Sequence, residues 1–156
     1  MKNLKFLFLL AVVPFFAACS SDDDDNNNGN NTAIIEEGAY VGTLKVDQND
    51  DTFYNQDNVK VEIEFDEGTA KIIMHQVSFS ERMPVKLDMT IPGVTANAIT
   101  GGFEISGNNI VPLAGGGQFA QYTITDMSGT ITTAAISFEL TCGAYPLTFT
   151  GIYKEQ

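Results

Sequence analysis

The chain has one histidine, two cysteines, and eight basic residues against twenty acidic ones. Each shortage removes a class of function. The single histidine, His75, has no Asp-His or Cys-His neighbour pattern, and no metal-ligand cluster surrounds it. No catalytic residue, metal site or cofactor is expected. A strand histidine with a cross-strand partner is the expected role for His75. The formal net charge is −12, which repels phosphate backbones and anionic lipid surfaces, so nucleic acid is not an expected partner. The glycine run at residues 115–117 lacks the following Lys-Ser/Thr of a phosphate loop. Beyond residue 32, no segment carries a helical apolar stripe of useful length.

What is present begins at the N-terminus. Lys2 and Lys5 give a positive start, and Leu4 with residues 6–16 gives an apolar run broken at Pro14. Small residues Ala17 and Ala18 then precede Cys19. This is the layout of a secretory signal, and it is shorter than the roughly 20 apolar residues a spanning helix needs. With a cysteine at the cleavage point it resembles a bacterial lipoprotein signal. The resemblance implies a diacylglycerol thioether on Cys19 and cleavage just before it, anchoring the protein in the membrane by its lipid. Ser20 and the run Asp22, Asp23, Asp24, Asp25 resemble the features that follow the cysteine in outer-membrane and surface-exported lipoproteins. The expected organisation is a signal peptide over residues 1–18, then a lipidated cysteine with a disordered acidic and Asn-rich tether over 19–32. A single folded domain over 33–156 follows. The expected location is the outer membrane, facing the periplasm or the cell surface. With Cys19 lipidated, Cys142 has no disulfide partner. It lies in phase with Phe138 and Leu140, which predicts a buried, inert thiol.

The folded part alternates with period two. Tyr40, Gly42, Leu44 and Val46 share one face. Residues 47–51 then form an acidic loop, and the spacing of Asp47, Asn49 and Asp51 superficially matches the start of a calcium loop. Thr52 and Asn58 stand where such a loop needs Gly and Glu, so an acidic hairpin tip is expected instead. Residues 58–69 hold the cleanest strand, with Val59, Val61, Ile63 and Phe65 on one side. Glu67-Gly68 turns it into a partner strand, which sets Glu64 opposite Lys71 and Ile63 opposite Ile72. Val85, Leu87, Met89 and Ile91 predict a strand ended by Pro92-Gly93, and residues 96–100 a weaker one. Residues 103–106 and 109–113 flank a turn at Gly107-Asn108. A strand over 119–127 is expected to turn at Ser128-Gly129. Residues 135–142, with Ile136, Phe138, Leu140 and Cys142 inward, and 147–153 complete the series. Eight to ten short strands at this spacing predict an all-β domain. An up-and-down barrel and a two-sheet β-sandwich both satisfy the pattern.

Three glycine-bearing stretches carry a resemblance. Residues 38–44 (Gly-Ala-Tyr-Val-Gly-Thr-Leu) open the domain, 101–107 (Gly-Gly-Phe-Glu-Ile-Ser-Gly) lie in its middle, and 149–153 (Phe-Thr-Gly-Ile-Tyr) end it. With the lipoprotein signal, they resemble the calycin-like β-barrel lipoproteins. The resemblance implies an antiparallel, up-and-down, lipocalin-like barrel of about eight strands. It also implies a non-catalytic binding module for a small apolar or amphipathic ligand, although the Gly-x-Trp of lipocalins is absent because the chain has no Trp. Candidate lining residues are Val61, Phe65, Leu87 and Phe138. Gly42 and Gly151 lie in the first and last strands, which must pair if the barrel closes. The alternative is an interaction or structural protein with a filled interior, meeting another envelope protein or a host molecule. Its candidate patch is Asp47, Asp50, Asp51, Phe53 and Tyr54, where aromatics adjoin charge.

Overall fold

The computed structural model of the protein describes residues 38–155. The strands are β1 (Ala39–Asp47), β2 (Phe53–Asp66), β3 (Thr69–Val77), β4 (Leu87–Ile99), β5 (Gly102–Gly107), the two-residue β6 (Leu113–Ala114) and β7 (Gly117–Gln118), β8 (Ile124–Thr132), β9 (Ala135–Cys142) and β10 (Tyr145–Lys154). One 3-10 turn, Ala120–Tyr122, precedes β8. Eight strands hydrogen-bond in the order β3-β2-β1-β10-β9-β8-β5-β4, and β4 pairs back to β3. Every ladder is antiparallel. The ring is therefore a closed up-and-down barrel of calycin-like architecture, not a sandwich. Closure removes the exposed edges that an open sheet presents. The short hairpin β6–β7 docks beside β4, where Leu113 and Ala114 pair with Thr90 and Met89. It continues the place of the short β5 alongside β4.

The seam between first and last strands rests on glycine. Gly42 pairs directly with Gly151. A Cβ on Gly42 would lie 2.0 Å from the Thr150 carbonyl oxygen, so these two strands approach closer than any side chain allows. The hairpin of β2 and β3 has the expected register, with Glu64 opposite Lys71, Ile63 opposite Ile72, and an ion pair between Lys71 and Glu64.

Four breaks in register give the barrel its curvature. They fall between Gly42 and Leu44 on the β1–β2 ladder, twice on β3–β4, and at Thr125 to Ser128 on β8–β9. Each contains one residue in the left-handed region: Asn58 (φ 59°), Gln76 (51°), Gly93 (65°) and Asp126 (53°). Such bulges bend a strand and raise its twist, as barrel closure requires. They also correct the sequence reading. Pro92-Gly93 does not end a strand but is the bulge inside a continuous β4, a position where proline is tolerated. β2 starts at Phe53, not at residue 58, and β4 starts at Leu87, leaving Val85 62% exposed. Residues 109–112 form no regular strand, and Ile110 makes only an isolated bridge to Ile124. The expected strand from residue 119 begins instead at Ile124. Ser128-Gly129 is no turn but mid-strand in β8, where Gly129 lies against Phe138 and the Ser137 carbonyl.

The inward set packs the barrel solid. Leu44, Val46, Val61, Ile72, Met74, Ile91, Val94, Ile105, Ile124, Ile131 and Phe149 have no accessible surface at all. Such side chains border no space large enough for water. Aromatic rings close both ends. Phe65 and Phe103 stack at 4.5 Å although β3 and β4 separate their strands, and Tyr40 meets Tyr153 edge-on at 5.8 Å. At the opposite end Phe79 stacks between Tyr122 (5.4 Å) and Tyr145 (6.1 Å), and Phe119 extends the stack onto Tyr122.

One buried amide repairs a bulge. Gln56 Nε2 donates to the Gln76 carbonyl (2.6 Å), and its Oε1 accepts from the Ser78 amide (2.9 Å). Replacing Gln56 by leucine strands both backbone groups. The expected loss is about 1–3 kcal/mol, read as a lower urea midpoint at unchanged slope. An unchanged midpoint would show that the bulge is satisfied in another way.

Candidate functional site

Hairpin connections in an up-and-down barrel alternate between its two ends. One end carries the tight turns at 67–68, 100–101 and 133–134, together with the start of β1 and the end of β10. The other carries the longer connections 48–52, 78–86 and 108–123, with the turn at 143–144. Residue 38 thus enters at the short-turn end, and the long loops crowd the far end. That far end holds the candidate site.

The acidic hairpin tip is folded onto its own backbone. Asp47 Oδ1 accepts from the Asn49 amide (2.8 Å), and Asp50 Oδ1 accepts from the Thr52 amide (3.1 Å) and hydroxyl (2.5 Å). Asn49 and Asp51 adopt positive φ, which short polar side chains tolerate. Residues 53–58, which a calcium loop would need, lie in β2. Among the described residues, no group of three or more His, Cys, Asp or Glu side chains is placed to hold a metal ion.

The tip is tied to its neighbours. Asn49 Nδ2 donates to the Ala144 carbonyl (2.8 Å), and Gln48 Nε2 to the Phe79 carbonyl (2.8 Å). Between these loops opens a cleft of about 490 Å³ lined by Gln48, Asp50, Thr52, Phe53, Tyr54, Ser80, Glu81, Arg82 and Tyr145. Three members of the sequence-derived patch, Asp50, Phe53 and Tyr54, meet here. Asp51 is exposed at the tip outside the lining, and Asp47 belongs to a second cleft of about 310 Å³ on the outer face. There Lys45 Nζ sits 3.8 Å above the Phe53 ring, near Asp126 and Glu139. A third cleft, about 390 Å³, lies by Phe65 and Gly93 near the short-turn end.

Ser80, Glu81, Arg82 and Tyr145 were not legible as site residues: the β2–β3 pairing carries the loop after β3 beside 48–54, and Tyr145 arrives there only because the last strand pairs with the first. The signal available was the count of strands, since alternate turns share an end. Val61 and Phe138 are buried in the packed core; Phe65 and Leu87 are half-buried, Phe65 towards the short-turn end and Leu87 at the long-loop rim. Two of the four candidate lining residues are thus fully buried core, and the other two are half-buried near opposite ends of the barrel. Cys19 and the segments 1–18 and 19–32 lie outside the described residues.

Several ionisable groups outside the cleft have structural partners. His75 Nε2 meets Glu62 Oε2 at 2.9 Å across the β2–β3 pair. Lys60 first, then His75, holds the Glu62 carboxyl below its ordinary value. The Gln76 amide and side chain do the same for Asp88. Cys142 is buried, and burial pushes its thiol up to about 12. An unfolded thiol titrates near 8.5, so stability from this group is complete below about pH 8.5 and declines as pH rises towards 12. In a Cys19→Ser chain at about pH 8, a thiol reagent is expected to leave the folded protein unlabelled and to modify it once unfolded. Labelling of the folded protein would contradict the burial.

Fold and site together define an all-β, closed, eight-stranded barrel with a filled interior and a cleft at its long-loop end. Comparison of the chain with protein-family models, curated proteins and solved structures finds no match.

Proposed function

We propose that this protein is a non-catalytic recognition module of the bacterial cell envelope. It is a calycin-like barrel lipoprotein, held at the outer membrane through Cys19, that presents its long-loop end to a partner or ligand. The observation that carries this reading is the contrast between a side-chain-filled interior and an open cleft at the end opposite residue 38. A lipid on Cys19 would tether the barrel by its short-turn end. Residues 20–37 reach at most roughly 60 Å, so the long-loop end, opposite the attachment, would be free to face away from the bilayer. The loop composition supports recognition, since Tyr, Phe, Asn, Gln, Ser and Gly dominate residues 108–123 and the cleft. Rigid aromatic contacts among adaptable polar groups are the make-up of binding loops. The interior carrier reading, with Val61, Phe65, Leu87 and Phe138 around an apolar molecule, has less support because Val61 and Phe138 are already buried core side chains.

Two measurements test the proposal together. A fluorescent apolar probe titrated into the native protein is expected to show no saturable binding, whereas one-to-one binding would return the function to the interior. Metabolic labelling with an alkyne fatty acid is expected to mark the wild-type chain and not Cys19→Ser. Equal labelling of both would remove the anchor.

A further inference from the structure

Resting on the reading of the long-loop end as the recognition end, we infer that its cleft takes a neutral carbohydrate. The lining excludes the other ligand classes in turn. An apolar ligand would desolvate Gln48, Asp50, Glu81 and Arg82 without replacing their hydrogen bonds. An anion would meet Arg82 but also the carboxylates of Asp50 and Glu81. A cation would face the Arg82 guanidinium, the chain's only arginine. What fits is an uncharged molecule that both donates and accepts hydrogen bonds and also has an apolar face. Sugar rings combine these properties. Their adjacent hydroxyls match planar two-pronged groups such as carboxylate, guanidinium and amide, and their C–H faces lie against aromatic rings.

The cleft is also built in advance. Tyr145 is fixed by its stack on Phe79. Asp50 uses Oδ1 for its own turn, and Gln48 uses Nε2 to hold Phe79. Oδ2 of Asp50 and Oε1 of Gln48 remain for a ligand. Among the described residues, the hydroxyls of Tyr54 and Tyr145 and the charged groups of Glu81 and Arg82 have no hydrogen-bond or ion-pair partner within the protein. A volume of about 490 Å³ lies within the range of small-ligand sites. Three aromatic side chains and four polar planar ones thus line one cleft with hydrogen-bonding capacity to spare.

The test is calorimetric titration of the purified full chain with neutral oligosaccharides of the β-glucan, α-glucan, mannan, xylan and galactan types. Tyrosine fluorescence gives a second readout in a chain without tryptophan. Saturable binding of at least one series is expected. Arg82→Ala and Tyr145→Ala should each weaken it about tenfold or more. Glu64→Gln, which belongs to the cleft by Phe65, should leave it unchanged. Tyr145→Ala also removes packing from Phe79, so Glu81→Gln serves as the variant at an exposed position that leaves the fold intact. Failure of every series to saturate the folded protein overturns the inference, as does binding indifferent to both Arg82→Ala and Glu81→Gln. If no sugar binds while a photo-crosslinker at position 82 captures a protein in the native envelope, the carbohydrate inference falls and the recognition end stands. If position 82 captures nothing either, both fall.

Discussion

Gly42→Ala is expected to destabilise the protein by about 3 kcal/mol or more, at the top of the range for overpacking a tight site. The added Cβ would stand 2.0 Å from the Thr150 carbonyl oxygen and 2.7 Å from its carbon. These are backbone atoms of the paired strand, so no rotamer change relieves the contact. The β1–β10 ladder would have to open by ångströms, and eight residue pairs in register depend on it. Gly117→Ala is the control. Nothing lies within 4 Å of its added carbon, so its effect should stay within about 0.5 kcal/mol. Urea unfolding of the two variants separates a closure-specific cost from a general glycine effect. Equal midpoints would mean that first and last strands do not meet as described.

The second large effect is expected at Phe138. Its side chain is 1% exposed, and its ring packs against Phe149 at 5.4 Å. Truncation to alanine should cost about 3–5 kcal/mol, from lost transfer energy and the cavity left behind. It should also create what the wild type lacks, a dry apolar hole able to admit benzene or xenon. The prediction therefore has two parts: lower stability, and gained binding of a small apolar probe in Phe138→Ala alone. A wild type that already binds the probe, with little stability lost on truncation, would mark the interior as a ligand chamber.

Much of the fold was legible because alternation survives closure. Residues 59–65, 136–142 and 147–153 show their inward faces directly, and the Glu64–Lys71 pairing followed from the Glu67-Gly68 turn. That the strands carrying Gly42 and Gly151 pair was legible as a requirement of closure, whereas the register that sets the two glycines opposite each other was not. What failed was punctuation. Pro92-Gly93, Asp57-Asn58 and Ser128-Gly129 have the composition of turns and strand ends, yet a tightly coiled barrel places them inside strands. At Gly93 and Asn58 the left-handed residue serves a bulge instead of a reversal. At Gly129 the missing side chain makes room for Phe138. No local rule separates these uses, because the neighbouring strand decides between them. The site was legible only as its hairpin half, Asp50 to Tyr54. Its other half comes from Ser80 to Arg82, in the loop after β3, and from Tyr145, which reaches the site only through the pairing of the last strand with the first.

The account rests on which part of the barrel meets the outside world. The direct measurement is site-specific photo-crosslinking in the cells that make the protein, with the probe placed in turn at Arg82, Glu64 and Ile152. Arg82 marks the long-loop cleft; Glu64 lies on the charged outer face of β2, and Ile152 is 57% exposed on β10 towards the short-turn end. The account predicts adducts from position 82 and none from 64 or 152. Adducts confined to 64 or 152 would contradict it and move the functional surface off the long-loop end.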